Sequence, residues 1–144
     1  MWGSKGSHHH WDTVISGKTK ISGDLHFSGG LHIDGHVKGN IIADDESNGV
    51  VRISDRGQVE GEIRAPNVIV NGRVLGNVYS TKHLELAKKA SVQGDVYYTV
   101  MEMVMGAEVN GQLKHTTEVK DMKKSSVSKA QTPMVEPKPV SDNG

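Results

Sequence analysis

Five residues, apolar-x-Gly-x-apolar, recur six times along this chain. They read Ile21-Ser22-Gly23-Asp24-Leu25, Val37-Lys38-Gly39-Asn40-Ile41, Val59-Glu60-Gly61-Glu62-Ile63, Val74-Leu75-Gly76-Asn77-Val78, Val92-Gln93-Gly94-Asp95-Val96 and Val109-Asn110-Gly111-Gln112-Leu113. The glycines stand 16, 22, 15, 18 and 17 residues apart. Alternation with period two is the pattern of a strand with one face buried. The apolar positions and the glycine share that face. The positions between them are mostly Ser, Asp, Lys, Asn, Glu and Gln, so the shared face is the inner one. An inward glycine suits a tight corner of a narrow coil.

Short strands repeated at this period predict a solenoid. Three sides of about six residues give a turn of roughly eighteen, and turns stack as parallel strands about 4.8 Å apart. Val68, Val74, Leu86, Val92 and Val104 fall on multiples of six, as three sides require. The expectation is an all-β parallel β-helix of six turns, about 30 Å long. Asp44-Asp45-Glu46-Ser47-Asn48-Gly49 reads as an exposed loop inserted into the second turn, and Pro66 belongs at a corner.

A coil of this kind has two open ends with unpaired backbone groups, which solenoids normally cap. No cap is legible here. One copy's end would then cover another's, giving a filament. The residues expected at the joints are Ile15, Ile21, Leu25 and Phe27 at one end, and Met103, Met105, Val109 and Leu113 at the other. The run Val100-Met101-Glu102-Met103-Val104-Met105 is apolar on both faces except for one Glu. It calls for a second partner or for the C-terminal tail folded over it.

From Thr13 the chain reads T-V-I-S-G-K-T-K-I-S-G-D-L-H-F-S-G-G-L-H-I-D-G-H-V-K-G-N-I up to Ile41. It continues with G-Q-V-E-G-E-I-R-A-P-N-V-I-V-N-G-R-V-L-G-N-V (57–78), A-S-V-Q-G-D-V (90–96) and M-G-A-E-V-N-G-Q-L (105–113). This succession resembles the bactofilins, bacterial polymer-forming cytoskeletal proteins. The resemblance implies a right-handed, three-sided β-helix over residues 13–113 that polymerises without nucleotide, like ends meeting like. It also implies flexible tails (1–12 and 114–144), the first of them membrane-targeting. Many relatives place an aromatic between subunits in the closing phrase, where this chain has Val109.

Composition agrees with a thin coil. Aromatics are only 4% of the 144 residues, and no cysteine is present for a disulfide, thiolate ligand or nucleophile. A net charge of zero argues against nucleic acid as a partner. No run is apolar enough to span a bilayer or serve as a signal sequence, so the expected location is cytoplasmic. Near the start, Met1, Trp2 and Lys5 combine an interfacial aromatic with a cation, the chemistry of weak binding to an anionic membrane surface. Many copies on a polymer would multiply it. A terminus with no structural role, or a remnant of an added tag around His8-His9-His10, is the alternative. Residues 114–144 are rich in Lys, Ser and Thr with prolines at 133, 137 and 139, a composition of disorder.

Candidate chemistry is sparse. His26, His32, His36 and His83 invite a zinc hypothesis of the γ-carbonic-anhydrase kind, but zinc needs ligands converging on one point. The first three alternate with inward residues and point outward on different sides. The phrase column Asp24, Asn40, Glu62, Asn77, Asp95, Gln112 interleaves acids with amides, which avoids stacking like charges. No phosphate loop of the GxxxxGK[ST] type is present. No metal, cofactor or catalytic residue is expected. The competing reading is a trimeric hexapeptide-type or γ-carbonic-anhydrase-like enzyme on a left-handed coil, though the histidine-bearing loop and helical domain of the former are missing. The favoured one is a filamentous scaffold on the inner membrane face that positions cell-wall or motility proteins.

Overall fold

The computed structural model of the chain describes residues 11–44 and 48–116. Within them every element is a strand and every strand pairing is parallel. The first turn holds β1 (Thr13–Ile15), β2 (Lys20–Ser22) and β3 (Leu25–Phe27). The second holds β4 (Gly30–Ile33), β5 (His36–Lys38) and β6 (Ile41–Ala43). β7 (Val50–Ile53), β8 (Gln58–Glu60) and the start of β9 (Ile63–Val70) make the third. The rest of β9, β10 (Arg73–Leu75) and the start of β11 (Val78–Leu86) make the fourth. The fifth runs through the end of β11, β12 (Ser91–Gln93) and β13 (Val96–Tyr98). β14 (Met101–Met103), β15 (Glu108–Asn110) and β16 (Leu113–His115) complete the sixth. The result is a six-turn, three-faced β-solenoid.

Register aligns the apolar columns. On the second face Ile21, Val37, Val59, Val74, Val92 and Val109 stack in order. On the third, Leu25, Ile41, Ile63, Val78, Val96 and Leu113 do the same. Each of the four middle turns buries four aliphatic side chains completely, for example Val68, Val70, Val74 and Val78 in the fourth. No ring is in this fully buried set, which is made of Val, Ile and Leu alone.

The corners explain the uneven period. Between the first and second faces, four-residue turns at 16–19, 54–57, 87–90 and 104–107 are closed by N–H···O=C bonds of 2.9–3.1 Å. The second and fourth turns make the same corner with two residues, 34–35 and 71–72. Between the third and first faces, β9 and β11 bend without a break. Their register passes from Ala65↔Ser80 to Asn67↔His83, leaving Pro66 opposite Thr81 and Lys82. Proline therefore sits at a corner where no ladder bond is asked of it. The polar run at 44–49 joins β6 to β7, between the second and third turns, with Asp44 and Asn48 exposed.

Three expectations change. The phrase glycines do not face inward. A Cβ on Gly39, Gly61, Gly76, Gly94 or Gly111 would collide with the carbonyl oxygen of the glycine one turn earlier. The missing side chain is thus demanded by vertical stacking at the corner rather than by the width of the bore. Next, Val104 is exposed, unlike Val68, Val74, Leu86 and Val92. It opens the turn at 104–107, and the buried columns continue instead through Met103 and Val109. Finally, the run 100–105 is not one two-faced strand. β14 contributes only three residues with Glu102 outward, while Val100, Val104 and Met105 lie at corners.

Candidate functional site

Among the described residues both ends of the coil carry open strand edges. Among the described residues β1, β2 and β3 pair only with the second turn, and β14, β15 and β16 only with the fifth. The side chains at the two ends differ. In the first turn Ile15 and Phe27 are already buried and Ile21 and Leu25 half-buried, while Val14 faces out. In the sixth, Met103 is 45% exposed, Leu113 42% and Met105 90%, with Val109 half-buried. Val100 and Val104, 52% and 45% exposed, extend the same apolar rim. Periodicity does not assign these two valines to the rim, because it does not say where the last corner falls. Met1, Trp2 and Lys5 lie outside the described residues.

The corner beside the glycines carries its own hydrogen-bond column. Asn40 N–H donates to Asp24 Oδ1 (3.0 Å) and Glu62 N–H to Asn40 Oδ1 (2.9 Å). Asp95 N–H donates to Asn77 Oδ1 (2.9 Å) and Gln112 N–H to Asp95 Oδ1 (3.0 Å). Each short side chain satisfies a backbone donor in the next turn, where the strand ladder is interrupted. This gives the acid–amide column a reason beyond charge spacing, and it is a structural one.

The histidines are dispersed. His26 Nδ1 is 3.1 Å from Asp44 Oδ1, His32 Nε2 3.2 Å from Asp34 Oδ1 and His36 Nε2 2.7 Å from Glu60 Oε2. His83 Nε2 lies 3.5 Å from Glu102 Oε1. These pairs sit on three different faces, and among the described residues no three His, Cys, Asp or Glu groups could hold one metal ion. A hydrogen bond from His36 holds the Glu60 carboxyl below its ordinary pKa, and one from Ser54 does the same for Asp34, aided by His32. These polar contacts tie turns or strand ends together.

Sequence reasoning also misses an outward ladder on the third face. Arg64 lies 3.9 Å above the Tyr79 ring, Tyr79 stacks on Tyr97 at 4.6 Å with planes 6° apart, and Lys114 Nζ is 5.2 Å from Tyr97. Tyr79 is buried although it points away from the core, and that burial raises its pKa. The usable signal is Tyr79 and Tyr97 at one register position, eighteen residues apart. Alternate outward positions of the same strand column therefore glue the last turns together from outside.

Among the described residues the molecule offers a shaft whose two ends carry unpaired strand edges, the sixth turn's lined with exposed apolar side chains. No helix among the described residues is long and apolar enough to cross a membrane. Searches of the curated proteins and of the solved structures return no match. The family model described as polymer-forming cytoskeletal bactofilin matches residues 13–114, the span of the coil. The chain belongs to the bactofilin family of cytoskeletal polymers.

Proposed function

We propose that the chain is a scaffold that assembles end to end without nucleotide and holds partner proteins along the inner face of the cytoplasmic membrane. The observation that carries this is the sixth turn: three open edges lined by Met103, Val109 and Leu113, with no polar lid among the described residues. A second copy seated there continues the ladders and removes the exposed apolar side chains from water. Nucleotide has no evident role, since the chain has no phosphate loop. Membrane attachment falls to Met1, Trp2 and Lys5, repeated on every subunit, and the clients are proteins of cell-wall synthesis, cell shape or motility.

Negative-stain microscopy of the purified protein without nucleotide tests assembly, with Leu113→Asp as the comparison. Filaments are expected for the parent chain, and short oligomers of normally folded subunits for the variant. Long filaments from Leu113→Asp would place the joint elsewhere. Removing residues 1–7 is expected to abolish co-sedimentation with anionic liposomes while filaments still form; undiminished pelleting would refute the anchor.

A further inference from the structure

Among the described residues the methionines, Met101, Met103 and Met105, all lie in the sixth turn. Met101 is half-buried beside Leu84, Met103 is partly exposed and Met105 projects from the tip of the turn at 104–107. The equivalent four-residue turns carry Gly17-Lys18, Asp55-Arg56 and Lys88-Lys89 at their tips. Only the last one puts an apolar side chain there, and that side chain is a thioether. Exposed thioethers are the side chains most readily converted between an apolar and a polar form, because methionine sulfoxide is both formed and repaired in cells.

We propose that Met103 and Met105 form a reversible oxidation site that blocks formation of the joint between subunits. This rests on the sixth turn being that joint. Hydrogen peroxide is the oxidant. The sulfur lone pair attacks one peroxide oxygen, the O–O bond breaks and an S–O bond forms. Sulfur loses two electrons, and the departing oxygen leaves as water after taking up a proton. A dithiol reductase reverses the step, its two thiols becoming a disulfide as the sulfoxide oxygen leaves as water. The sulfoxide is a strong hydrogen-bond acceptor. A joint lined by Val100, Val104 and Leu113 side chains offers it no donor from those groups, and any edge N–H it captured would be lost to the ladder that joins the copies. Within a filament the same sulfurs are covered. The site therefore reads out on free ends and unassembled subunits.

The test compares sedimentation of the full chain before and after hydrogen peroxide treatment and quenching, with sulfoxides located by mass spectrometry. Met103→Leu/Met105→Leu keeps the rim apolar and cannot be oxidised there. Peroxide is expected to raise the concentration needed for assembly about tenfold or more in the parent chain. The double variant should assemble normally with and without peroxide. Met105→Leu alone, at an exposed tip with no core contact to lose, should give partial resistance even if the double variant folds poorly. Full sulfoxide formation at 103 and 105 with unchanged assembly would overturn the proposal. So would equal peroxide sensitivity in the parent and leucine chains, which would trace the effect to Met1, Met101, Met122, Met134 or tryptophan. Untreated parent protein that never assembles would sink the joint itself, a failure visible before any oxidant is added.

Discussion

At the scale of the residue, the phrase glycine is the position the fold can least do without. Gly76 has φ +152°, and a Cβ there would run into the backbone carbonyl of Gly61. Gly23 has φ +124° but no atom within 4 Å of its notional Cβ, because no turn lies before it. The pair separates two costs that usually come together. Gly23→Ala should lose only the strain of its backbone conformation, about 1–3 kcal/mol. Gly76→Ala must in addition push two turns apart, so its loss should be clearly larger. Denaturant unfolding of both variants, in a background carrying Leu113→Asp to suppress assembly, checks the ranking. Equal losses would mean that backbone conformation alone requires the glycine. The phrase could be found in the sequence because glycine is so rarely interchangeable. Its reason could not, since the carbonyl it makes room for belongs to a residue 15 positions earlier.

At the scale of the strand, what could be read in advance was the inner face and what could not was the outer one. Val37, Val59, Val74 and Val92 announce their column by alternation, since burial on one side imposes period two. Outward residues obey no such constraint, and their partners depend on register. Register shifts at corners whose length varies from two residues at 34–35 to four at 54–57. A period of six therefore puts Val104 where Met103 stands, and it does not reveal the Arg64–Tyr79–Tyr97–Lys114 ladder. The ends were half legible: Met103 and Leu113 could be placed on the last turn, but not the greater exposure of that end. The ladder makes a quantitative prediction. Stacked rings in contact couple by about 0.5–1.5 kcal/mol beyond their separate burial. Tyr79→Leu, Tyr97→Leu and the double variant should therefore close a thermodynamic cycle with a favourable coupling of that size, read from unfolding curves. A coupling indistinguishable from zero would reduce the stack to incidental proximity.

At the scale of the whole molecule, the unequal ends decide how copies can meet. A joint between unlike ends would set the exposed rim of Met103, Met105 and Leu113 against a first turn whose Ile15 and Phe27 are already buried within their own chain. A joint between two sixth turns covers both apolar rims at once and is two-fold symmetric, each patch facing itself. Two such rims meeting give the larger apolar burial, so the sixth-turn pair should form first and hold longest. On that arrangement the remaining first-turn ends should meet each other, giving a filament without direction. Because the chain contains no cysteine, one introduced thiol reports the arrangement. Gln112→Cys, exposed on the last turn, should give covalent dimers with a short bismaleimide on its own, and no larger products. Ser22→Cys, on the first turn, should behave likewise but at higher protein concentration. If head joined tail instead, neither single variant would crosslink, and products would appear only when the two were mixed. That outcome would leave a filament with distinct ends and would move the apolar rim's partner to the opposite end of the coil.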